Sequence, residues 1–226
     1  HVYADTWAHR DFAGINNDVN DISNLTDTSD SGLDSQGMLS RFFGNLFDKT
    51  ASKLVGDVMP LGHGSALCFP DLPYLKWSYR DRDGVLKNRD NTRDFIEAAD
   101  HLCQAMKRYR AGSDKAPVSG LDHGYKEKIK CLFKEFVDEE GDERHARWMT
   151  AIREGEFPFG PETLEYQSTG KKSWKHMALG TTKDSIAYPW DKSFLTCNWK
   201  YFHDALLDHQ FSLIHDILPR YGICAA

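Results

Sequence analysis

Three side chains at the start of the chain carry ligand chemistry at helical spacing. His1-Val-Tyr-Ala-Asp5-Thr-Trp-Ala-His9 is a His-x3-Asp-x3-His run. At 3.6 residues per turn, steps of four place all three on one stripe of a helix. Imidazole nitrogen and carboxylate oxygen are ordinary ligands of Zn²⁺ and related divalent ions. The stripe is about 12 Å long at 1.5 Å per residue, so three ligands on one straight helix do not close around a single tetrahedral ion. Either neighbouring pairs serve one ion with help from elsewhere, or Asp5 bridges two ions. The competing reading is a polar helix face with hydrogen-bonded histidines. Chelation by the α-amino group and ring of His1 together conflicts with its mid-helix position.

A fourth candidate is His63 in Leu61-Gly62-His63-Gly64. Flanking glycines let the backbone approach a ligand closely, and the segment precedes an apolar loop, as a pocket-lining residue or proton shuttle would. A surface-loop histidine fits the same pattern. His123 and Glu127 have ligand spacing, but at an expected helix start they read as capping. Asp18 and Asp21 lie in an Asn/Asp-rich loop and serve a turn as readily as a metal. His203, Asp204, Asp208, His209, His215 and Asp216 decorate the solvated face of the last helix. There is no Gly-rich phosphate loop, no Gly-x-Ser-x-Gly elbow and no Cys-His nucleophile pattern.

Hydrophobic periodicity places the elements that carry these residues as helices over 1–12, 38–59, 122–138, 142–153 and 198–218. A further helix is capped by Asn91 or Thr92 and carries the stripe Phe95, Ile96, Ala99, Leu102, Cys103, Met106 and Tyr109. Asp83-Gly84 between short runs predicts one small β-hairpin near 76–88. Residues 16–37, 63–75 and 155–198 read as long irregular loops. The expected fold class is mainly α, a multi-helix globular bundle with that one hairpin. The whole chain, 1–226, reads as a single helical domain. The periodicity already runs at residue 1 with no cap before it. We therefore expect an upstream portion of the precursor, or a separate chain, to complete the site.

The chain has 226 residues, 40% hydrophobic and 12% aromatic, with a formal net charge of −6 and pI near 5.9. The composition supports a real core. The acidic balance argues against a duplex nucleic-acid partner, and no apolar run is long enough to span a membrane. Five scattered cysteines, odd in number and without a Cys-x-x-Cys pair, read as free thiols in a reducing compartment, mostly buried as small hydrophobes. The expected location is cytoplasmic.

The segments His-Val-Tyr-Ala-Asp-Thr-Trp-Ala-His-Arg-Asp-Phe-Ala-Gly-Ile (1–15), Pro-Leu-Gly-His-Gly (60–64) and Pro-Asp-Leu-Pro-Tyr-Leu-Lys-Trp (70–77) resemble an uncharacterised bacterial domain-of-unknown-function family. Residues 94–106 and 174–180 extend the likeness. In that family about a hundred or more residues precede the first motif, among them an Asp-x-His start and an Asp-Asp stretch. More distantly, the first helix is similar to the zinc-dependent phospholipase C and single-strand nuclease superfamily, all-helical enzymes with a His-x3-Asp pair in a metal cluster. His1 and Asp5 match that pair; His9 departs from the spacing of the next ligand, and the later His-x3-Glu pair has no counterpart. The resemblance implies a metal-dependent hydrolase of phosphate esters with His1 and Asp5 as ligands of a divalent metal, zinc first; the reading of the residues adds His9 as a ligand and His63 as a ligand or proton shuttle. The alternative is a non-catalytic binding or regulatory protein with a structural metal site.

Overall fold

The computed structural model describes residues 2–14, 17–29, 62–138 and 140–222. The expected helix over 38–59, and His1, lie outside the described residues. The chain divides into two compact units, 1–163 and 164–226, and each is described by itself.

The first unit contains α1 (Val2–Ala8), a three-stranded antiparallel sheet of β1 (Ser23–Asp27), β2 (Lys76–Arg80) and β3 (Leu86–Asp90), then α2 (Asn91–Arg110), α3 (His123–Glu135) and α4 (Gly141–Arg153). The hairpin is where Asp83-Gly84 predicts it. Asp81 makes the turn, its carboxylate accepting from the N–H groups of Asp83 (3.1 Å) and Val85 (2.9 Å), and Gly84 takes the left-handed φ of +76° that a tight turn needs. The expected lone hairpin is corrected to three strands. Ser23-Asn-Leu-Thr-Asp lies within the segment read as loop, yet it pairs along β2, with Asp27 opposite Trp77 and an irregularity between Ser23 and Thr26. Its polar composition carries no strand signal; Leu25, packed against the core, is its contribution to that side.

The sheet core joins Phe69, Leu72, Leu75, Trp77 and Tyr79, with Phe12, Ile22 and Leu25 packed against it. A second core lies between α3 and α4, built on Leu132, Phe136, Ala151 and Phe157. Phe133 bridges outward, meeting Phe95 of α2 at 5.8 Å and Trp148 of α4 at 5.4 Å between ring centres, both edge-to-face. The cap of α2 also differs from expectation. Asp90 caps it, accepting from Arg93 N–H at 3.2 Å. Asn91 and Thr92 fall in the first turn because their side chains are committed to the loop before β2.

The second unit holds α5 (Trp174–Leu179) and α6 (Asn198–Ser212). The Ser173 hydroxyl caps α5 and Gly180, at φ +69°, ends it. Beyond Ser212 the helical path widens into a π-turn, Leu213–Ile217, ahead of Pro219. The apolar positions of the last helix do not form a buried stripe: Phe202, Leu206, Leu207 and Phe211 are exposed among the described residues. The cysteines also depart from expectation. Cys68 and Cys131 are exposed and Cys103 and Cys197 half-buried, so none of the four is a buried small hydrophobe. No helix among the described residues is long and apolar enough to cross a membrane.

Candidate metal centre

Of the four ligand candidates, the fold brings two together and adds one that spacing does not reveal. His9, His63 and Asp71 each present a ligand atom within 4.8 Å of the others. His9 Nε2 lies 3.2 Å from Asp71 Oδ1, and His63 Nε2 lies 3.9 Å from Asp71 Oδ2. The two imidazoles stack at 4.1 Å between centres and 22° between planes. Two ligands on one tetrahedral ion, each at 2.0–2.2 Å, stand about 3.4 Å apart. The two imidazole–carboxylate separations lie on either side of that span, and the three ligand atoms as a set lie within 4.8 Å. The side chains are 29% exposed for both histidines and 49% for the aspartate, so the group opens to solvent.

His9 sits just past α1, its N–H donating to the Asp5 carbonyl at 2.8 Å. A helix end leaves carbonyls without intrahelical partners. Here one buried guanidinium takes them. Arg89 of β3 donates to the carbonyls of Trp7 (2.9 Å), Ala8 (3.2 Å) and Arg10 (2.9 Å). These carbonyls bracket His9 in sequence. The remaining reach of the fork is held by Asp94, which accepts from Nε at 3.1 Å and from an Nη at 2.9 Å. Asp11 then turns the chain at φ +76°, a conformation that Asp tolerates better than most residues. Its carboxylate accepts from the Tyr79 hydroxyl at 3.2 Å.

His63 is held by its other nitrogen. Nδ1 donates to the Leu67 carbonyl at 3.0 Å. A carbonyl only accepts, so in the neutral ring the proton sits on Nδ1 and the Nε2 lone pair faces the carboxylate. Gly62 supplies the left-handed φ of +58°, where the chain passes close to the Ala13 carbonyl. Asp71 ends a 3₁₀ turn, Phe69–Asp71. Asn91, fully buried, holds that turn on both sides: its amide donates to the carbonyls of Phe69 (2.6 Å) and Leu72 (2.8 Å), while its oxygen accepts from Trp77 Nε1 at 2.8 Å. Two adjacent regions of the chain, the end of β3 and the start of α2, therefore fix both walls of the group.

Asp5 lies one turn before His9 on α1 and is not a member of the group. His1 falls outside the described residues. His123 and Glu127 do not join it; His123 is the first residue of α3, and Glu127 pairs with Lys130 at 3.5 Å. Asp18 opens a 3₁₀ turn, as turn chemistry predicts. His203 stacks on Trp199, and His215 meets Phe211 at a 43° tilt, both on exposed positions. Asp71 has one sequence signal, its place in a Pro-Asp-Leu-Pro segment beside His63, and that signal is weak. A model of a family of unknown function, DUF6765, matches residues 1–217. No curated protein and no solved structure matches the chain.

Proposed function

We propose that this chain, which belongs to that family of unknown function, is a divalent-metal-dependent hydrolase with His9, His63 and Asp71 as protein ligands. The convergence of these three side chains within 4.8 Å carries the reading. Two imidazoles and a carboxylate form the donor set that zinc enzymes use, with a further coordination position left for water or substrate. A zinc ion held there would supply Lewis acidity and lower the pKa of a coordinated water. The chain's own part is positional. Leu67 fixes the His63 tautomer, Arg89 fixes the backbone on both sides of His9, and Asn91 fixes the turn that presents Asp71. Solvent exposure of the group favours a site open to substrate over a sealed structural one. Phosphate esters are the substrate class of choice, on the resemblance of the first helix to phospholipase C-type enzymes.

The test is metal content and zinc affinity of the full chain, wild type and with His63→Ala or Asp71→Ala, together with hydrolysis of bis(p-nitrophenyl) phosphate as zinc is titrated. Each variant is expected to lose at least about tenfold in zinc affinity and to lose hydrolysis in parallel. Equal zinc binding by wild type and both variants removes the site. Tight zinc binding with no hydrolysis of any phosphate, carboxylate or amide ester turns the reading to a binding protein. Asp5→Ala in the same series reports whether the first stripe of the sequence contributes.

A further inference from the structure

A cavity of about 290 Å³ lies between the start of α2, the first residue of β2 and one face of α3. It shares no lining residue with the His9 group. Its cationic side chains are Lys76, Arg93, Lys126, Lys130 and Lys134, against the carboxylates of Asp90 and Glu127. That is a formal surplus of three positive charges in a chain whose net charge is −6. The concentration is built by helix geometry: Lys126, Lys130 and Lys134 follow each other at steps of four and form one stripe of α3. Like charges at that spacing repel and weaken the helix; of the three, Lys134 alone has a local helical reason, its place in the last turn.

Intramolecular pairing lowers the surplus to two without removing it, because Asp100 from outside the lining adds one carboxylate. Lys76 meets Asp90 at 3.2 Å, Lys126 meets Asp100 at 2.9 Å, and Lys130 meets Glu127 at a loose 3.5 Å. Arg93 and Lys134 have no ion-pair partner among the described residues. His123, the first residue of α3, also lines the cavity, and the Asp122 side chain makes no capping hydrogen bond to the first turn of that helix. The positive end of the helix dipole therefore adds to the field of the lysines. The lysine stripe runs about 12 Å at 1.5 Å per residue, longer than a single phosphate group.

We propose that this cavity is a binding site for a small anion carrying two or more phosphate groups, as a diphosphate does. Arg93 and Lys134 are its uncommitted cations, and Lys126, Lys130 and Lys76 shape its field. The shared chemistry is the diphosphate group, free or as part of an organic molecule. The test is titration calorimetry of the full chain with inorganic pyrophosphate and, separately, with ADP, in the presence of a chelator that removes metal from any His9 site. The paired comparison is Arg93→Gln/Lys134→Gln against Lys115→Gln/Lys183→Gln, two exposed lysines outside the cavity. The first variant is expected to weaken pyrophosphate binding at least about tenfold and the second to leave it unchanged, with affinity falling as salt rises from about 50 to about 300 mM. Tighter binding of ADP than of pyrophosphate assigns the site to an organic diphosphate, and the reverse order to the free ion. As a measurement that needs no variant, pyrophosphate should protect Lys130 and Lys134, but not Lys115, from acetylation in the wild-type protein. Absence of binding at millimolar pyrophosphate, equal loss in both variants, or no selective protection overturns the proposal.

Discussion

Arg89 is a charge taken out of water, 5% exposed in its side chain beside an Asp94 that is 8% exposed. Such a pair tolerates the interior only while both members keep their partners. Arg89→Ala leaves the Asp94 carboxylate with only a looser 3.7 Å ion pair to Arg10 and removes the side-chain donor from three carbonyls around His9. It is expected to destabilise the protein by about 3–5 kcal/mol in urea denaturation. Arg89→Lys keeps the charge but not the fork, so it is expected to retain the fold better while loosening the backbone around His9 and lowering zinc affinity. Asn91 obeys the same logic without charge. Asn91→Ala leaves the Trp77 indole N–H buried and unpaired and the Phe69 and Leu72 carbonyls with backbone partners alone, an expected loss of about 1–3 kcal/mol. Tyr79 gives a pH signature. Burial first, then the neighbouring Asp11 carboxylate, push its pKa up. The folded value lies above the ordinary 10.0, so this contribution to stability is complete below pH 10 and is lost as pH rises beyond it. Tyr79→Phe should flatten the alkaline fall in a pH series of thermal melts.

Among the elements, one α2 carboxylate joins that helix both to α3 and to the chain before it, beside Lys107, whose Nζ donates to the Ser119 and Gly120 carbonyls. Asp100 accepts from Leu121 N–H at 2.7 Å, from Lys126 at 2.9 Å and from Gln104 at 3.2 Å. The Lys126 contact chiefly, with the Leu121 N–H, holds its pKa down. A Cβ on Gly120 would sit inside that carboxylate, which cannot swing aside without giving up those partners. Gly120→Ala is therefore expected to cost about 1–3 kcal/mol by overpacking, read as a lower urea midpoint with unchanged slope. The same change at Gly112, where a Cβ meets nothing but φ is +66°, tests conformational strain alone. A larger loss at Gly112 than at Gly120 would show that strain, not the carboxylate, dominates.

For the whole molecule, a ligand that binds only the folded state stabilises it by mass action. Zinc at a hundredfold excess over its dissociation constant should add about 2.7 kcal/mol and raise Tm, and Asp71→Ala should abolish that rise. The division into two compact units has its own consequence. Residues 161–172 are irregular and exposed at nearly every position, where a backbone fits a protease cleft readily. Among the described residues, brief trypsin digestion should cut after Lys171 and Lys172 before it cuts within α3, as mass spectrometry of the first fragments would show. Simultaneous release of α3 peptides would contradict that order.

Local chemistry made several elements legible from the sequence alone. The stripe from Phe95 to Tyr109 specifies α2, Asp83-Gly84 specifies the hairpin turn, and His9 and His63 stand out by residue type and by glycine context. These signals survive because they depend on contacts within a turn or two of the chain. Strand β1 is polar and exists only by pairing with β2, so no short window contains its cause. Asp90 displaced Asn91 as the cap of α2 because the Asn91 side chain has three partners elsewhere in the core. The exposed apolar face of α6 shows the converse, since periodicity names a face but not what covers it. Membership of a family of unknown function agrees with the expectation of an uncharacterised domain. The ligand group is the clearest case of a tertiary decision. Spacing joined His9 to Asp5, four residues away on one helix face, whereas folding joined it to Asp71, 62 residues away. A coordination shell needs donors that converge from different directions. One straight helix offers donors in a row, and only chain packing, fixed here by Arg89 and Asn91, brings His9, His63 and Asp71 from separate segments into the proposed site.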